Sequence, residues 1–348
     1  MLIIGCDLHT RYQIIAMADP QTGEITIRRL EHENGEAKTF YARLRGPSLI
    51  GIEATGYTQW FERLLAELGH ELWVGDPAEI RARAVRRQKT DTRDAEHLLD
   101  LLLSNRFPRI GVPTPEERDF RQLLKHRDKL VRMRTSVKNQ LHYLAMSQGV
   151  CRKKKLGSGR GRQQLESLEL GPWASRRRQE LLELLDRLEP RIEELDVAVQ
   201  AEAERRAEAV RLMKQKGVGP VTALAFVLTV GPVERFPNSR QLVSYLGLNP
   251  RESSSGGRQR LGHIRKQGNE MLRWLLVEAG QSAAQFDPEL RRVYQRLKFR
   301  RGAKVAKVAL ARRLAVRLYW LLREASREAT TEARQEASYL SATGSHAK

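Results

Sequence analysis

The stretch LIIGCDLHTRYQIIAMADPQTGEITIRRL, Leu2 to Leu30, decides the fold. LIIGCDL is apolar almost throughout, which suits a strand buried on both faces. A turn at His9–Arg11 leads into YQIIAMAD (Tyr12–Asp19), and Asp19-Pro20 with Thr22-Gly23 marks a hairpin into EITIRRL (Glu24–Leu30). One residue breaks the pattern: Asp7 sits inside the first apolar run. An unpaired carboxylate within a sheet is costly unless it is solvated at an edge or binds a cation.

Outward from this hairpin pair, a short helix precedes a fourth strand, SLIGIEA (Ser48–Ala54), bounded by Gly46-Pro47 and Gly56. Helical spacing of Trp60, Phe61, Leu64, Leu65 and Leu68 ends at Gly69, and HELWVGDP follows as a fifth strand stopped by Pro77. Three strands joined as hairpins, then strand–helix–strand, is the order of an RNase H-like mixed sheet. A Rossmann reading fails because no G-x-G-x-x-G follows the first strand.

Beyond the sheet the chain turns helical and basic. Its 348 residues carry 62 Lys and Arg against 42 Asp and Glu, a net charge of +20. Residues 1–108 are nearly neutral at −2, so residues 109–348 hold +22. A basic body beside a neutral module predicts a polyanion-binding surface next to a separate chemical site, with nucleic acid as the first partner. Hydrophobic residues at 41% exclude a wholly disordered chain. No run reaches the ~18 apolar residues of a membrane span, and the first residues lack the basic leader of a signal peptide. Two cysteines, Cys6 and Cys151, build neither a disulfide framework nor a zinc site, so a cytoplasmic protein is expected.

A long helix is predicted from Pro115 to about Met146, and a second from about Ala174 to Gln215 with coiled-coil-like spacing and a kink or break at Pro190. Between them RKKKLGSGRGRQ (Arg152–Gln163) reads as a flexible basic loop, with Arg152, Lys153, Lys154 and Lys155 as phosphate ligands. Two long helices around such a loop make either an arm, suited to dimerisation or to reaching along nucleic acid, or an internal core hairpin. The expected boundaries are 1–110 for the sheet domain, 111–210 for the arm, 211–327 for a mostly helical domain and 328–348 for a frayed polar tail.

Three constellations carry chemistry. The first is acidic. Glu53 ends the fourth strand, and Asp91 and Asp94 in KTDTRDAEHLLDLL share a helix face at i,i+3. With Asp7 they offer oxygen donors suited to Mg²⁺ or Mn²⁺ and not to zinc. Two such ions ~3.5–4 Å apart can activate an attacking oxygen and stabilise a leaving one in phosphodiester cleavage. Asp91 could instead be a plain N-cap and Asp94 a first-turn residue favoured by the helix dipole; Asp7 and Glu53 have no comparable explanation. Cys6, on the opposite strand face from Asp7, is expected only to pack.

The second is KQKGVGPVTALAFVL (Lys214–Leu228), where Gly217 and Gly219 precede an apolar helix as in helix–hairpin–helix units. There backbone N–H groups at a helix start approach a phosphate. A tight interhelical turn is the alternative, and the flanking Lys214 and Lys216 favour phosphate. The third is GLNPRESSSGGRQRLGHIRKQGNE, a serine run before a glycine pair amid Arg251, Arg258, Arg260, Arg265 and Lys266. Composition favours a polar linker; the sharper reading makes one serine a nucleophile on phosphorus, with arginines stabilising the charge. A protease-like triad is not indicated.

Together these segments resemble the DEDD transposases of bacterial insertion sequences, the group that includes the Piv-type DNA invertases and the bridge-RNA-guided recombinases. GCDLHT, GIEATGYT and KTDTRDAEHL resemble that family's RuvC-like domain; KGVGPVTA and RFPNSRQLVSYLGLNPRESSSGGRQRLGHIRKQGNEMLRWLLVEA resemble its transposase domain. The resemblance implies that Ser255, immediately before the glycine, is the nucleophile, with Ser254 the residual candidate. It further implies a phosphoserine link to DNA, Mg²⁺ on the four carboxylates, a guide RNA that pairs with donor and target DNA, and a dimer or tetramer whose composite site is assembled between subunits. The basic loop at 152–163 matches no motif of that family. A RuvC-like junction nuclease using only the carboxylates is the alternative enzyme, and a non-catalytic nucleic-acid-binding protein the alternative of another class.

Overall fold

The structure, a computed structural model, describes residues 1–19, 22–84, 90–150, 159–252, 260–266 and 268–344. The chain divides into two compact units, Met1–Pro113 and Thr114–Lys348.

The first unit holds β1 (Ile3–Leu8), β2 (Tyr12–Ala18), β3 (Ile25–Glu31), α1 (Glu36–Ala42), β4 (Leu49–Glu53), α2 (Gln59–Glu67), β5 (Glu71–Gly75), α3 (Pro77–Arg83) and α4 (Asp91–Leu103). The strands form one mixed sheet in the order β3-β2-β1-β4-β5. β1 pairs antiparallel with β2 and parallel with β4, and β4 pairs parallel with β5. This is consistent with the RNase H-like arrangement expected from the strand order.

Alternation along β1 sorts its side chains. Ile4, Cys6 and Leu8 enter a core with Ile15, Leu30, Tyr41, Ile50, Ile52, Phe61 and Leu65 beneath α1 and α2. Cys6 is fully buried there, as expected, and burial pushes its thiol far above the usual range. On the opposite face α4 lies across the strands, packing Ala95 and Leu99 against Ala16 and Ala18, and Leu98, Leu101 and Leu102 with Leu49 and Phe107. Gly5 makes this approach possible. A Cβ there would lie 2.3 Å from the Ala95 carbonyl oxygen and 2.4 Å from the Leu99 amide nitrogen. The missing side chain lets the helix backbone rest on the sheet.

The second unit comprises α5 (Pro115–Ser147), α6 (Arg160–Glu166), α7 (Pro172–Arg205), α8 (Ala207–Met213), α9 (Pro220–Val230), α10 (Ser239–Tyr245), β6 (Pro250–Glu252), β7 (Leu261–Ile264), α11 (Glu270–Phe286) and α12 (Pro288–Gly344), with a short 3-10 turn at Val233–Arg235. α5 starts at a capping box, in which Thr114 and Glu117 satisfy each other's backbone N–H groups. Leu124 of α5 and Val199 and Ala203 of α7 join the core around α9, whose Ala223, Leu224, Ala225, Phe226 and Leu228 are all buried. Farther along, Val137, Leu141, Ala145, Leu182, Leu185, Leu188 and Ile192 zip α5 to α7 in a separate apolar cluster. The arm and the core hairpin are thus two ends of one object.

Four sequence expectations need correction. First, α7 runs unbroken through Pro190. Pro190 is exposed while Leu188 and Ile192 are buried, so the amide it lacks leaves a carbonyl on the solvent side. The helix breaks instead at Arg206, whose backbone is extended (φ −103°, ψ 112°) and whose guanidinium bonds Glu202 at 2.5 Å and lies 5.2 Å from the Phe120 ring. Second, residues 160–163 of the expected basic loop belong to α6. Leu165 anchors that helix in the α5–α7 cluster, and Arg162 pairs with Asp186 (2.7 Å) and Glu166 (3.0 Å), which takes it from any phosphate. Third, the helical domain contains a β-hairpin, β6–β7, on either side of the serine run. Fourth, the tail expected to fray is helical to Gly344, and Glu328 near its start is held by Arg211 at 2.9 Å. Arg152, Lys153, Lys154, Lys155, Ser254, Ser255 and Arg258 lie outside the described residues.

Candidate active site

The carboxyl ends of β1 and β4 lie side by side, because the two strands are parallel with Cys6 opposite Ile52. One residue farther on stand Asp7 and Glu53, on the face that α4 covers. In open sheets ligands gather at such strand ends. α4 begins at Thr90, whose hydroxyl caps the helix by accepting from the Arg93 amide. Asp91 is therefore not the cap; it and Asp94 occupy the first turn of the helix. Gly5, two residues before Asp7 on the same face, sets how near that turn comes.

Asp7 is brought to Asp91 through His9. His9 Nε2 donates to Asp7 Oδ2 at 3.0 Å and lies 3.5 Å from Asp91 Oδ2. One ligand atom each from Asp7, His9 and Asp91 falls within 4.8 Å of the other two. Burial pushes the Asp7 carboxyl above the usual carboxylate range; His9 opposes this, while Asp94 and Asp91 reinforce it. A half-buried Asp7 carboxyl whose proton affinity two neighbouring carboxylates raise, beside an imidazole, belongs to a donor set that a divalent cation would relieve. Glu53 flanks the cluster from the end of β4, half-buried and in register with Gly75.

Two residues that sequence reasoning passed over shape this cluster. His9 flanks Asp7 in the sequence but stands in the turn after β1, and i,i+2 spacing in D-L-H places it on the Asp7 face. Tyr12, at the start of β2, donates its phenol to Asp91 Oδ2 at 2.8 Å. Its ring lies 4.7 Å from the His9 ring, and the Arg29 guanidinium lies over it at 3.7 Å. The hydrogen bond to Asp91 raises the Tyr12 phenol above its ordinary value. Tyr57 donates to the Leu8 carbonyl at 3.1 Å and ties the strand end to the segment after β4.

In the second unit, β6 and β7 pair Pro250 with Ile264 and Glu252 with Leu261, closing the two ends of the serine-bearing segment on each other. Arg251, Arg260, Arg265 and Lys266 are exposed around this hairpin. Gly268, with φ +72°, would carry a Cβ 2.4 Å from the Tyr245 carbonyl oxygen, so the chain after β7 is pressed onto α10. At the Gly-Val-Gly-Pro turn the two glycines differ. A Cβ on Gly217 (φ +85°) would meet the α11 backbone at Ala283 N, 2.5 Å, and Ala279 O, 2.6 Å, which accounts for that glycine by helix packing. Gly219 is exposed before α9 with open space around it. Lys216 Nζ donates to the Phe286 carbonyl at 3.3 Å, and Lys214 is exposed.

These two constellations match known protein families over most of the chain. A DEDD transposase model of the IS110 type matches residues 4–146, and the model of the Transposase IS116/IS110/IS902 family matches residues 209–295. The chain belongs to the IS110 family of transposases. It is 31% identical over 333 residues, 92% of this chain and 96% of the other, to a probable family 20 transposase of Pseudomonas aeruginosa. It is 30% identical over 240 residues, 67% of this chain and 65% of the other, to the transposase for insertion sequence element IS1111A of Coxiella burnetii. A transposase cuts and rejoins DNA, so DNA is its substrate, and its family suggests a divalent cation at the Asp7–His9–Asp91 cluster. Among the described residues, no helix of this transposase is long and apolar enough to cross a membrane.

Proposed function

We propose that this transposase breaks and rejoins DNA through Ser255, with a divalent cation, Mg²⁺ or Mn²⁺, held by Asp7, Asp91, Asp94 and Glu53. The observation that carries the reading is the convergence of Asp7, His9 and Asp91 within 4.8 Å at the end of the central strand. In the reaction the serine Oγ–P bond forms as a P–O bond to the deoxyribose breaks. The serine gives up its proton and the departing sugar oxygen takes one up. The phosphoserine link then keeps the phosphodiester energy until a hydroxyl of another strand attacks and frees the serine. A bound cation supplies Lewis-acid stabilisation of the charge that develops on the phosphate oxygens. Tyr12 and His9 hold the Asp91 and Asp7 carboxylates in place for it, and the arginines around β6–β7 bind the flanking phosphates.

The same reading includes a structured guide RNA, bound through shape and backbone by the basic second unit, and an oligomer, dimer or tetramer, joined through the coiled-coil-like α5–α7 arm. Tyr143, Met146 and Trp173 support that contact: at the arm's far end they are 66%, 58% and 79% exposed.

The test is to express the gene with its flanking DNA, denature the extract with detergent, and look for DNA covalently attached to the protein. A Mg²⁺-dependent adduct that Ser255→Ala abolishes is the expected result. Cleaved DNA without an adduct would replace the reading with hydrolysis by the carboxylates alone.

A further inference from the structure

Between Glu289 and Glu324 the chain holds twelve Lys and Arg and no Asp or Glu. This stretch lies within α12, which Gly302 interrupts with a non-helical backbone, φ 82° and ψ 163°. Residues 288–301 and 303–344 therefore form two helical limbs joined at a sharp turn. Nothing lies within 4 Å of a Cβ placed on Gly302, so its backbone conformation, and not packing, calls for glycine. Leu290 and Val293 on one limb and Leu310 on the other are buried against Ala283 and Ala284 of α11, which fixes the base of the turn.

At the turn itself stands Phe299, 93% exposed. An aromatic side chain left so fully in water contributes nothing to the fold. Arg296, Lys298, Arg300, Arg301 and Lys304 surround it in sequence, and all are exposed. Other cations of the stretch are engaged: Arg291 on the Ala284 carbonyl at 3.3 Å, and Arg317 on Asp287 and Glu289 at 2.5 and 2.6 Å. No ion pair to a carboxylate involves Arg296, Lys298, Arg300, Arg301 or Lys304 among the described residues.

We infer that this turn is a DNA wedge, in which Phe299 enters a base step of duplex DNA while the surrounding Lys and Arg grip the phosphates on either side. Proteins that kink duplexes insert one apolar side chain between base pairs beside basic residues. A single-strand binder instead needs a row of aromatics for successive bases; at this turn, among the described residues, Phe299 is the one exposed aromatic. A-form RNA offers side chains a deep, narrow major groove and a shallow minor groove recognised by shape, a poor fit to a protruding wedge. The family model ends at residue 295, so the turn lies outside the part of the chain it describes. The inference rests on DNA as the substrate but needs neither Ser255 nor the cation.

The test uses the full chain in EDTA, where no cleavage intervenes, with a mixed-sequence duplex carrying 2-aminopurine, whose fluorescence rises on unstacking. Wild type should raise that fluorescence. Phe299→Ala should abolish the rise and weaken binding on the order of tenfold without changing its salt dependence, and Phe299→Trp should restore both. Replacing Lys298, Arg300, Arg301 and Lys304 by Gln should lower the slope of log affinity against log salt by about 3 to 4. Unchanged fluorescence and affinity in Phe299→Ala would overturn the wedge. So would tighter binding to a matching RNA duplex that depends on Phe299, or a change in sedimentation showing that the turn joins two copies. Loss of the covalent adduct in the Ser255 experiment would leave these readings untouched, so the two ideas fail separately.

Discussion

Replacing Gly5 by Ala tests whether the sheet–helix contact places the carboxylates of the candidate site. The new methyl would lie 2.3 Å from the Ala95 oxygen and 2.4 Å from the Leu99 nitrogen, both backbone atoms that no rotamer change can move. Ordinary contact is about 3.4 Å, so α4 must retreat by about 1 Å from β1. Overpacking of this kind costs about 1–3 kcal/mol, or on the order of 5–20 °C in melting temperature for a unit of this size. The larger effect should fall on chemistry. A displacement of about 1 Å carries Asp91 and Asp94 away from Asp7, and misplacement on that scale can cost about a hundredfold in rate. Gly51→Ala is the control. Its methyl would meet the side chain of Leu102 at 2.8 Å and the Phe107 ring at 2.9 Å, near the other end of α4. The assay pairs strand-transfer rate with the rise in melting temperature on adding Mn²⁺. Gly5→Ala should lose most of both while remaining folded at working temperature; Gly51→Ala should lose some stability but keep the Mn²⁺ response. Equal loss of that response in the two variants would refute the idea that Gly5 sets the carboxylate spacing.

Two further outcomes follow from the same cluster. Burial and the neighbouring carboxylates raise Asp7, so the folded metal-free protein holds that proton more tightly than the unfolded chain does and loses stability as pH rises through the raised value. Asp7→Asn should therefore melt above wild type in EDTA at neutral pH, with the gap closing toward acid pH, and should show a reduced Mg²⁺ response; melting curves across pH check both. Tyr12→Phe removes the phenol that holds Asp91 and should raise the Mn²⁺ concentration needed for half-maximal strand transfer by about tenfold, while saturating metal restores most of the rate.

The sheet was legible because its strands alternate or run apolar in a recognisable order, and because turn residues mark each hairpin. Asp7 and Glu53 stood out for the same reason: a charge in an apolar strand has few explanations. The approach of α4 was not legible, since Gly5 reads in sequence as one more small residue and its role depends on a helix that begins eighty-six positions later. His9 hid in what looked like a turn, and Tyr12 reads as an ordinary strand aromatic until its phenol meets Asp91 seventy-nine positions away. In the helical unit, composition misled twice. The charges of α6 mask Leu165, which anchors it in the apolar cluster, and Pro190 suggests a break that solvent makes tolerable. The β6–β7 hairpin is too short for periodicity to reveal.

The pairing of α5 and α7 has a mechanical consequence. Helices of 33 and 34 residues extend about 50 Å at the usual rise per residue. They are rooted at one end by Leu124, Val199 and Ala203 in the core that also holds α9, and zipped to each other beyond it. Such a pair is a lever. With about 35 Å of helix beyond Leu124, a tilt of about 10° at the root sweeps the far tip through about 6 Å, and a force on the tip returns to the root as torque. Whatever takes hold of Tyr143 and Trp173 therefore pulls on the α9 core at a distance.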